Sequence, residues 1–378
     1  MKTKPRIKLF GKTFDRRWLW INLALLTLLL RVVLAYFPQV CEDLYSRGLF
    51  LVIRFIIDST LGLLPFATIY LLLIYLGYKV ARAIGSYIKF FQLKWRKTTD
   101  LSVICFAIDQ LFSLVAFLAM SIFLFFFMWA YNYQRLPLEQ QLGLEIKTMT
   151  ADDLALEAKW IMNKCTDLRA KIPNSDTSAL DEAFFPDNLE KSMRQLLVEE
   201  LERYNYPTLG AVRGRSLYPK GILLGFQASG VYIPFTGEGH IDAGLHILQK
   251  PFTVAHELAH GYGFGDEAVC NFWAYITCIA SDNPAIQYVG YLTYWRYVFS
   301  ELGRINREQY LAIRATLPKN MDNDLQAVYQ NNDQYPDFFN TAPLYATYLA
   351  SQGVKEGIRS YNRMVLLIAE WRKHNQKQ

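Results

Sequence analysis

The sequence predicts a membrane protein in which three transmembrane helices near the N-terminus are followed by a mainly helical α+β domain. Two observations predict this class. Apolar residues are concentrated in the first third of the chain and raise the overall hydrophobic content to 52%. Beyond residue 131 the composition changes, and apolar residues recur at the spacing of amphipathic helices. We therefore divide the chain into a basic N-terminus (1–17), a membrane domain (18–131) and an outer domain (132–378).

Each of three stretches approaches the roughly 20 apolar residues that a helix needs to cross a bilayer. Soluble helices are rarely this apolar on every side, so membrane spans explain the stretches better than buried core helices do. Arg31 in the first stretch and Asp109 in the third lie in the bilayer region, where they can pair or contact a partner subunit. The predicted spans are Trp18–Phe37, Leu61–Tyr78 and Val103–Tyr131.

Basic residues around the spans predict the orientation of the chain. They cluster before the first span and between the second and third, whereas the loop after the first span carries more acidic than basic residues. Because cytoplasmic loops are the basic ones, we expect a cytoplasmic N-terminus and an outer domain across the membrane. The first span lacks a small-residue cleavage site, so we expect it to remain as an anchor. The same clustering accounts for the net charge of +6, and nucleic-acid binding is not expected.

The other segments are assigned from their periodicity. Gly48–Ile57 is apolar but contains Arg54, and we expect it to lie along the membrane interface or to pack beneath the outer domain. Stretches rich in β-branched and aromatic residues, separated by turns that contain glycine, predict a small sheet. Its strands are Gly221–Gln227, Ser229–Phe235 and His240–Leu248, and the amphipathic helices are Ala151–Lys171, Ala179–Tyr204, Ala285–Leu302 and Gln352–Lys373.

His256, Glu257 and His260 form the pattern H-E-x-x-H in an otherwise apolar stretch that follows the predicted sheet. On a helix, residues four apart project from one face, so both imidazoles can reach one Zn²⁺ at roughly 2.0–2.1 Å. Glu257 then lies beside the metal and can take a proton from a zinc-bound water. Burying these groups without a partner is costly, and a metal supplies one. The alternative is a helix whose two histidines are solvated or are satisfied within the core.

A catalytic zinc site needs a third protein ligand and one open position. Three glycines follow His260 at every second position and let the chain reverse. Asp266 can then cap a second helix, and Glu267 in its first turn is the predicted third ligand. Asn271, one turn further on, shares the face of Glu267 and is expected to support a ligand.

Several other polar residues remain candidates for the metal or for catalysis. Asp266 and Glu301 are the alternative third ligands, and His240, Asp242 and His246 are in reserve. Near the C-terminus, Tyr361 is a weak candidate for stabilising an oxyanion opposite the metal. The strand that precedes the metal helix either pairs with an extended substrate or is purely structural. Cysteine spacing favours neither a disulfide framework nor a cysteine zinc site.

H-E-x-x-H followed by a carboxylate on the next helix resembles the gluzincin class of zinc metallopeptidases. Over nearly its whole length the chain also resembles a family of bacterial membrane proteins of unknown function with three N-terminal spans. The motifs that carry this second resemblance are WAYNYQR (Trp129–Arg135), SGVYIPFTGE (Ser229–Glu238), PFTVAHELAH (Pro251–His260), EAVCNF (Glu267–Phe272) and SQGVKEGIRSYNRMV (Ser351–Val365).

The resemblance implies a zincin-like outer domain and gives no established substrate. The family pattern E-x-E-A-N-F has its second glutamate where this chain has Val269. If that glutamate were the ligand, this chain would lack it, so the pattern favours Glu267 only because Glu267 is retained.

We therefore predict a multi-pass protein of the bacterial inner membrane with an extracytoplasmic zinc-dependent hydrolase domain, a metallopeptidase acting on a peptide or protein. Glu257 would activate the zinc-bound water. The alternative is a non-catalytic zinc domain that binds peptides, cell-wall fragments or a partner protein. A third possibility is a metal-free scaffold in which His256 and His260 only pack.

Overall fold

The computed structural model describes residues 6–9, 12–94, 100–172, 178–336 and 360–375. These ranges are mostly helical, with a hairpin at the N-terminus and a three-stranded sheet in the second half of the chain. The strands are β1 (Arg6–Leu9), β2 (Lys12–Asp15), β3 (Arg213–Leu217), β4 (Gly230–Ile233) and β5 (Glu238–Asp242). The helices are α1 (Arg16–Tyr36), α2 (Pro38–Val40), α3 (Phe50–Asp58), α4 (Ile69–Lys94), α5 (Asp100–Met128), α6 (Leu138–Gln141), α7 (Ala151–Ala170), α8 (Leu189–Arg203), α9 (Lys250–Gly261), α10 (Glu267–Ile279), α11 (Pro284–Ile305), α12 (Arg307–Ala315), α13 (Lys319–Asp333) and α14 (Ser360–Asn375).

Helices α1, α4 and α5 are long and apolar enough to cross a membrane, as the sequence predicts. The second begins at Ile69 and not at Leu61, because Leu61–Leu63 forms a 3₁₀ turn and Pro65 has no N–H to give to a helix. It also continues past Tyr78 to Lys94, since the basic residues that follow its apolar part are good helix formers.

An ion pair joins the first and third of these helices. Arg17 at the start of α1 donates to Asp15 and to Asp109 of α5, the latter at 2.8 Å. Asp109 therefore pairs with Arg17 and not with Arg31, whose guanidinium lies over the ring of Phe126. The pair gives Asp109, an acidic residue in an otherwise apolar span, a charged partner.

The helices of the C-terminal part enclose one large cluster of buried apolar side chains. Helix α7 packs along α11, and α10 packs against α9, α11 and α14. Prediction placed the second amphipathic helix at Ala179–Tyr204, but α8 begins only at Leu189, after Pro186, where the Asn188 side chain caps it. The predicted helices Ala285–Leu302 and Gln352–Lys373 correspond to α11 and α14, and residues 352–359 of the latter lie outside the described ranges.

The three-stranded sheet has the order β3-β5-β4, with β3 parallel and β4 antiparallel to β5. The predicted strand Ser229–Phe235 is confirmed as β4. The predicted strand Gly221–Gln227 is wrong, because its backbone curls around the Asp242 carboxylate as a 3₁₀ turn. The third strand begins at Glu238 and stops at Asp242, whose side chain accepts the N–H of Gly244 and turns the chain away.

A second buried cluster joins the membrane helices to the C-terminal part. It contains residues from the loop after α1, from the end of α5 and from the 3₁₀ turn Ala130–Gln134. The chain is π-helical over Cys41–Leu49 and continues as α3. The predicted segment Gly48–Ile57 therefore lies mostly in α3. Its Arg54 is buried against the ring of Tyr262, so one face packs beneath the C-terminal part. The sheet and α9 therefore lie directly on segments that adjoin the membrane spans.

Candidate metal centre

Helix α9 presents two histidines of the H-E-x-x-H pattern from one face. It begins with Pro251 in its first turn, where the missing N–H costs nothing, and ends at Gly261. The Nε2 atoms of His256 and His260 face each other at 3.1 Å. One turn of helix therefore brings two imidazole nitrogens to the same point.

The turn after α9 brings the next helix back over the histidines. Gly263 has φ of +87°, a conformation that glycine adopts readily, and an added Cβ would also meet the ring of Phe50. Asp266 caps α10 as predicted, since its carboxylate accepts the N–H groups of Ala268 and Val269. The cap places Glu267 in the first turn of α10, directed at the histidines.

Glu267 completes a group of three possible ligands. Its two carboxylate oxygens lie 3.1 Å from Nε2 of His256 and 3.6 Å from Nε2 of His260. Within the described residues, these three side chains form the cluster of histidine, cysteine and carboxylate groups that could hold a metal ion, with ligand atoms within 4.8 Å of one another. Val269, which stands where the family pattern has a glutamate, is buried and apolar.

Hydrogen bonds on the far side of each imidazole set the direction of its free nitrogen. His256 Nδ1 lies 2.8 Å from Asn271 Oδ1, and His260 Nδ1 lies 2.8 Å from the carbonyl of Phe264. Both partners are acceptors, so Nδ1 carries a proton in each ring and Nε2 is the nitrogen that faces the Glu267 carboxylate. Asn271 thus has the supporting position expected from its spacing. The Cys270 thiol also lies against His260 Nδ1, at 3.3 Å.

The residues fit a zinc ion. Two ligand atoms at roughly 2.0–2.1 Å from one tetrahedral Zn²⁺ are roughly 3.3 Å apart, close to the 3.1 Å between the two Nε2 atoms. Two imidazoles and one carboxylate form a ligand set that catalytic zinc sites use. Glu257 Oε2 is buried and has no hydrogen-bond partner among the described residues, so a polar group is required beside the ligands.

Glu257 lies between α9 and the sheet. An added Cβ at Gly230 of β4 would approach Glu257 Oε1 to 2.7 Å, so only glycine leaves room for the carboxylate at this point of the strand. Burial raises the pKa of the Glu257 carboxyl group, although His256 and His260 partly oppose the shift. The carboxylate is therefore adjacent both to the histidines and to the strand β4.

Burial and charge act in opposite directions on the ligands. Burial disfavours the charged imidazole of His260, but Cys270 and Glu267 together raise its pKa well above the usual value. Burial likewise opposes ionisation of Glu267, but the two histidines hold its pKa well below the usual range. The carboxylate of Glu267 is thus the charged partner that the cluster requires.

The membrane segments contact this centre directly. The indole N–H of Trp129, the residue after α5, donates to the carbonyl of His260 at 2.8 Å. Arg135 donates to the carbonyl of Gly263 in the turn between the ligand helices, and its guanidinium is held by Glu42 from the loop after α1. Both His260 and the reversing turn are therefore fixed by residues next to the candidate spans.

The alternative and reserve residues occupy other places. Glu301 pairs with Arg304, and neither Glu301 nor Asp266 belongs to the metal-capable cluster. His240 is buried beside Thr236, and His246 Nδ1 accepts the N–H of Leu248. Asp242 is surrounded by backbone N–H donors.

Tyr361 lies in the first turn of α14, but its side chain is outside the part of the chain that the structure describes. Prediction missed another tyrosine near the ligands. The phenol of Tyr297 on α11 contacts the Asn271 side chain, and burial raises its pKa to about 12. Tyrosines at 288, 291, 294 and 297 follow every third residue, so spacing alone does not single out the last one.

Comparison with known proteins identifies the family. The family profile described as "Protein of unknown function (DUF3810)" matches residues 45–369, which is most of the chain. The chain belongs to the DUF3810 family. The match contains the histidines of α9, Glu267 and the Trp129–Arg135 segment, so it confirms the resemblance to a family of unknown function. No curated protein and no solved structure matches the chain.

Proposed function

We propose that this DUF3810 protein is a membrane-anchored zinc-dependent hydrolase, a metallopeptidase of the gluzincin type with a zincin-like C-terminal part. The observation that carries the proposal is the convergence of His256, His260 and Glu267 beside the buried carboxylate of Glu257. The distribution of basic residues supports an inner-membrane protein with a cytoplasmic N-terminus and an extracytoplasmic C-terminal part.

His256, His260 and Glu267 would hold the zinc ion. When bound, Zn²⁺ is a Lewis acid that makes water more acidic and polarises a carbonyl group. Asn271 and the Phe264 carbonyl keep the Nε2 lone pairs of the histidines directed at the ligand position. The Glu257 carboxylate takes a proton from the attacking water and passes it to the leaving nitrogen of the peptide.

A peptide substrate would bind along strand β4. It is the last strand in the order β3-β5-β4, so one of its edges has no strand partner in the described sheet. An extended peptide can pair with such an edge through main-chain hydrogen bonds. Because Gly230 of β4 lies against Glu257, a peptide paired there would pass beside the proposed base.

Metal content and hydrolysis test the proposal together. We expect the detergent-purified protein to contain about one zinc per chain by elemental mass spectrometry, and a His256→Ala/His260→Ala variant to lose it. Glu257→Gln should keep the zinc and lose at least about 100-fold in the hydrolysis of a peptide library.

Each outcome separates the three hypotheses. A Glu257→Gln variant as active as the native protein would remove Glu257 from the mechanism. Zinc without hydrolysis of any peptide would favour the non-catalytic binding domain. Absence of metal in both proteins, even after zinc is supplied, would leave the two histidines as packing groups of a scaffold.

A further inference from the structure

The helical segment Cys41–Asp58 has an inverted distribution of polar and apolar side chains. The side facing the C-terminal part buries four polar residues beside the apolar ones of the second cluster, and Arg54 is only 2% exposed; the four are Glu42, Ser46, Arg54 and Asp58. The outward side is mainly apolar and exposed, with Asp43 as an exposed acidic residue near its start. Amphipathic helices in water have the opposite arrangement, so this segment is suited to apolar surroundings. The exposed apolar side chains are Leu44, Leu49, Val52, Phe55 and Ile56.

Apolar side chains of the C-terminal part are exposed on the loops that touch the membrane segments. Leu209 lies two residues before Ala211, whose N–H donates to Asp58 at 2.8 Å. Tyr218 is exposed, and its N–H donates to the hydroxyl of Tyr70 near the start of α4, at 3.0 Å. The same loop continues with exposed Ile222 and Phe226.

The ends of the spans explain why these surfaces meet lipid. The segment Cys41–Asp58 lies in the connection between α1 and α4, two helices that are long and apolar enough to cross a membrane. Its apolar side is continuous in sequence with the exposed residues Tyr36 and Phe37 at the end of α1. A lipid surface is the apolar environment that adjoins a membrane span on every side.

The proposed metal centre is bonded to residues at the ends of two candidate membrane spans. Trp129 directly follows α5 and donates to the carbonyl of the proposed ligand His260. On the side of the sheet, Glu238 of β5 accepts both the N–H and the hydroxyl of Thr68, the residue before α4, at 2.8 and 2.7 Å. These bonds hold the ligand helix and the sheet at the ends of two membrane spans.

We infer that the segment Cys41–Asp58 lies in the interfacial layer of the lipid bilayer and that the centre hydrolyses membrane-anchored polypeptides close to the point where they leave the bilayer. The lipid contact depends only on the exposed apolar face, whereas the substrate class rests on the proposed function. A chain tethered to the membrane meets a site at the surface at an effective concentration near the millimolar range. A free peptide would need an equally high concentration in solution to meet the site as often.

Fluorescence quenching tests the lipid contact. Val52→Cys and Leu311→Cys are made in a Cys105→Ser background, since the other four cysteines are buried, and each is labelled with an environment-sensitive dye. Leu311 on α12 is the matched control, because it is 51% exposed and Val52 is 54% exposed. In vesicles that contain brominated lipid, we expect at least twofold quenching of the dye at position 52 and none at position 311.

Three results would overturn the lipid contact. Quenching at position 52 by aqueous iodide to the same extent as at position 311 would place that face in water. Protection from both iodide and brominated lipid would mean that a second copy or another protein covers it. Equal quenching by brominated lipid at both positions would remove the distinction between this face and the rest of the surface.

A pair of matched substrates tests the substrate class. The full-length protein in vesicles is given one peptide library in free form and the same library on a dipalmitoyl anchor, because a single acyl chain binds membranes only marginally. We expect cleavage of the anchored library at least tenfold faster, and no cleavage of either by Glu257→Gln. Equal rates would overturn the membrane-anchored class and leave the hydrolase intact. If neither library is cleaved, the hydrolase and the substrate class both fail, while the quenching result stands independently.

Discussion

Two buried polar regions lie side by side in the C-terminal part, and they differ in what satisfies their carboxylates. Around β5, the Asp242 side chain accepts the backbone N–H groups of four residues: Gly221, Leu223, Leu224 and Gly244. At the metal centre, Glu267 faces the Nε2 atoms of two histidines, and Glu257 Oε2 has no partner among the described residues. The Asp242 carboxylate is thus satisfied by fixed backbone donors, whereas Glu257 and Glu267 lie beside the histidines of a cluster that could hold a metal ion.

Removal of the Asp242 carboxylate is expected to have the largest effect. Asp242→Ala leaves four backbone N–H groups without their acceptor, so we expect a loss of at least about 4 kcal/mol in the free energy of unfolding. Asp242→Asn keeps one acceptor oxygen and should lose less. Denaturant unfolding in detergent measures both. Unchanged stability in Asp242→Ala would show that the 3₁₀ turn does not depend on this side chain.

His240, on the same strand as Asp242, is expected to make the stability of the protein depend on pH. Burial, aided by Arg215, lowers the pKa of His240 from 6.5 to about 4. Below pH 6.5 the unfolded chain takes up a proton that the folded chain refuses, so stability present above that pH is lost as the pH falls towards 4. The loss reaches up to about 3 kcal/mol. The free energy of unfolding, measured at several pH values across this range, should change less with pH in His240→Gln than in the native protein. An identical pH dependence in both proteins would exclude His240 as the cause.

At the proposed metal centre, a change to the Asn271 amide should act on zinc binding and not on folding. Asn271→Ala removes the acceptor that holds His256 Nδ1, so we expect zinc affinity to fall by about 10–100-fold. Asn271→Asp retains an acceptor oxygen and serves as the matched control. Competition with a chelator measures both affinities. A fall in thermal stability of the zinc-free protein with no change in affinity would assign Asn271 to the structural class.

The smallest effect is expected at the thiol beside the second histidine. Cys270 Sγ lies 3.3 Å from both His260 Nδ1 and the Phe264 carbonyl. The Phe264 carbonyl already accepts from His260, and a thiol is a weak hydrogen-bonding group. Cys270→Ala should therefore change zinc affinity by less than about 1 kcal/mol. A larger loss in the same chelator titration would make the thiol a partner of the ligand.

Local spacing predicted the parts of this centre that depend on one helix turn. His256 and His260 share a face because they are four residues apart, and Asp266 caps α10 because its side chain reaches the next N–H groups. Strand β3 was not predicted, since Arg213–Leu217 reads RGRSL and lacks the alternation of a half-buried strand. The contacts of Trp129 and Tyr297 with the centre join residues far apart in sequence, and no local pattern specifies them.

The bond from Trp129 to His260 has a consequence for any attempt to separate the two halves of the molecule. A fragment that starts at residue 132 lacks the indole that donates to the His260 carbonyl, and it also lacks Phe50, which lies against the turn at Gly263. Glu42, which orients Arg135, is lost from the same fragment. Metal affinity and activity measured on such a fragment would therefore describe a loosened centre, so the proposed site should be studied in protein that keeps the membrane segments.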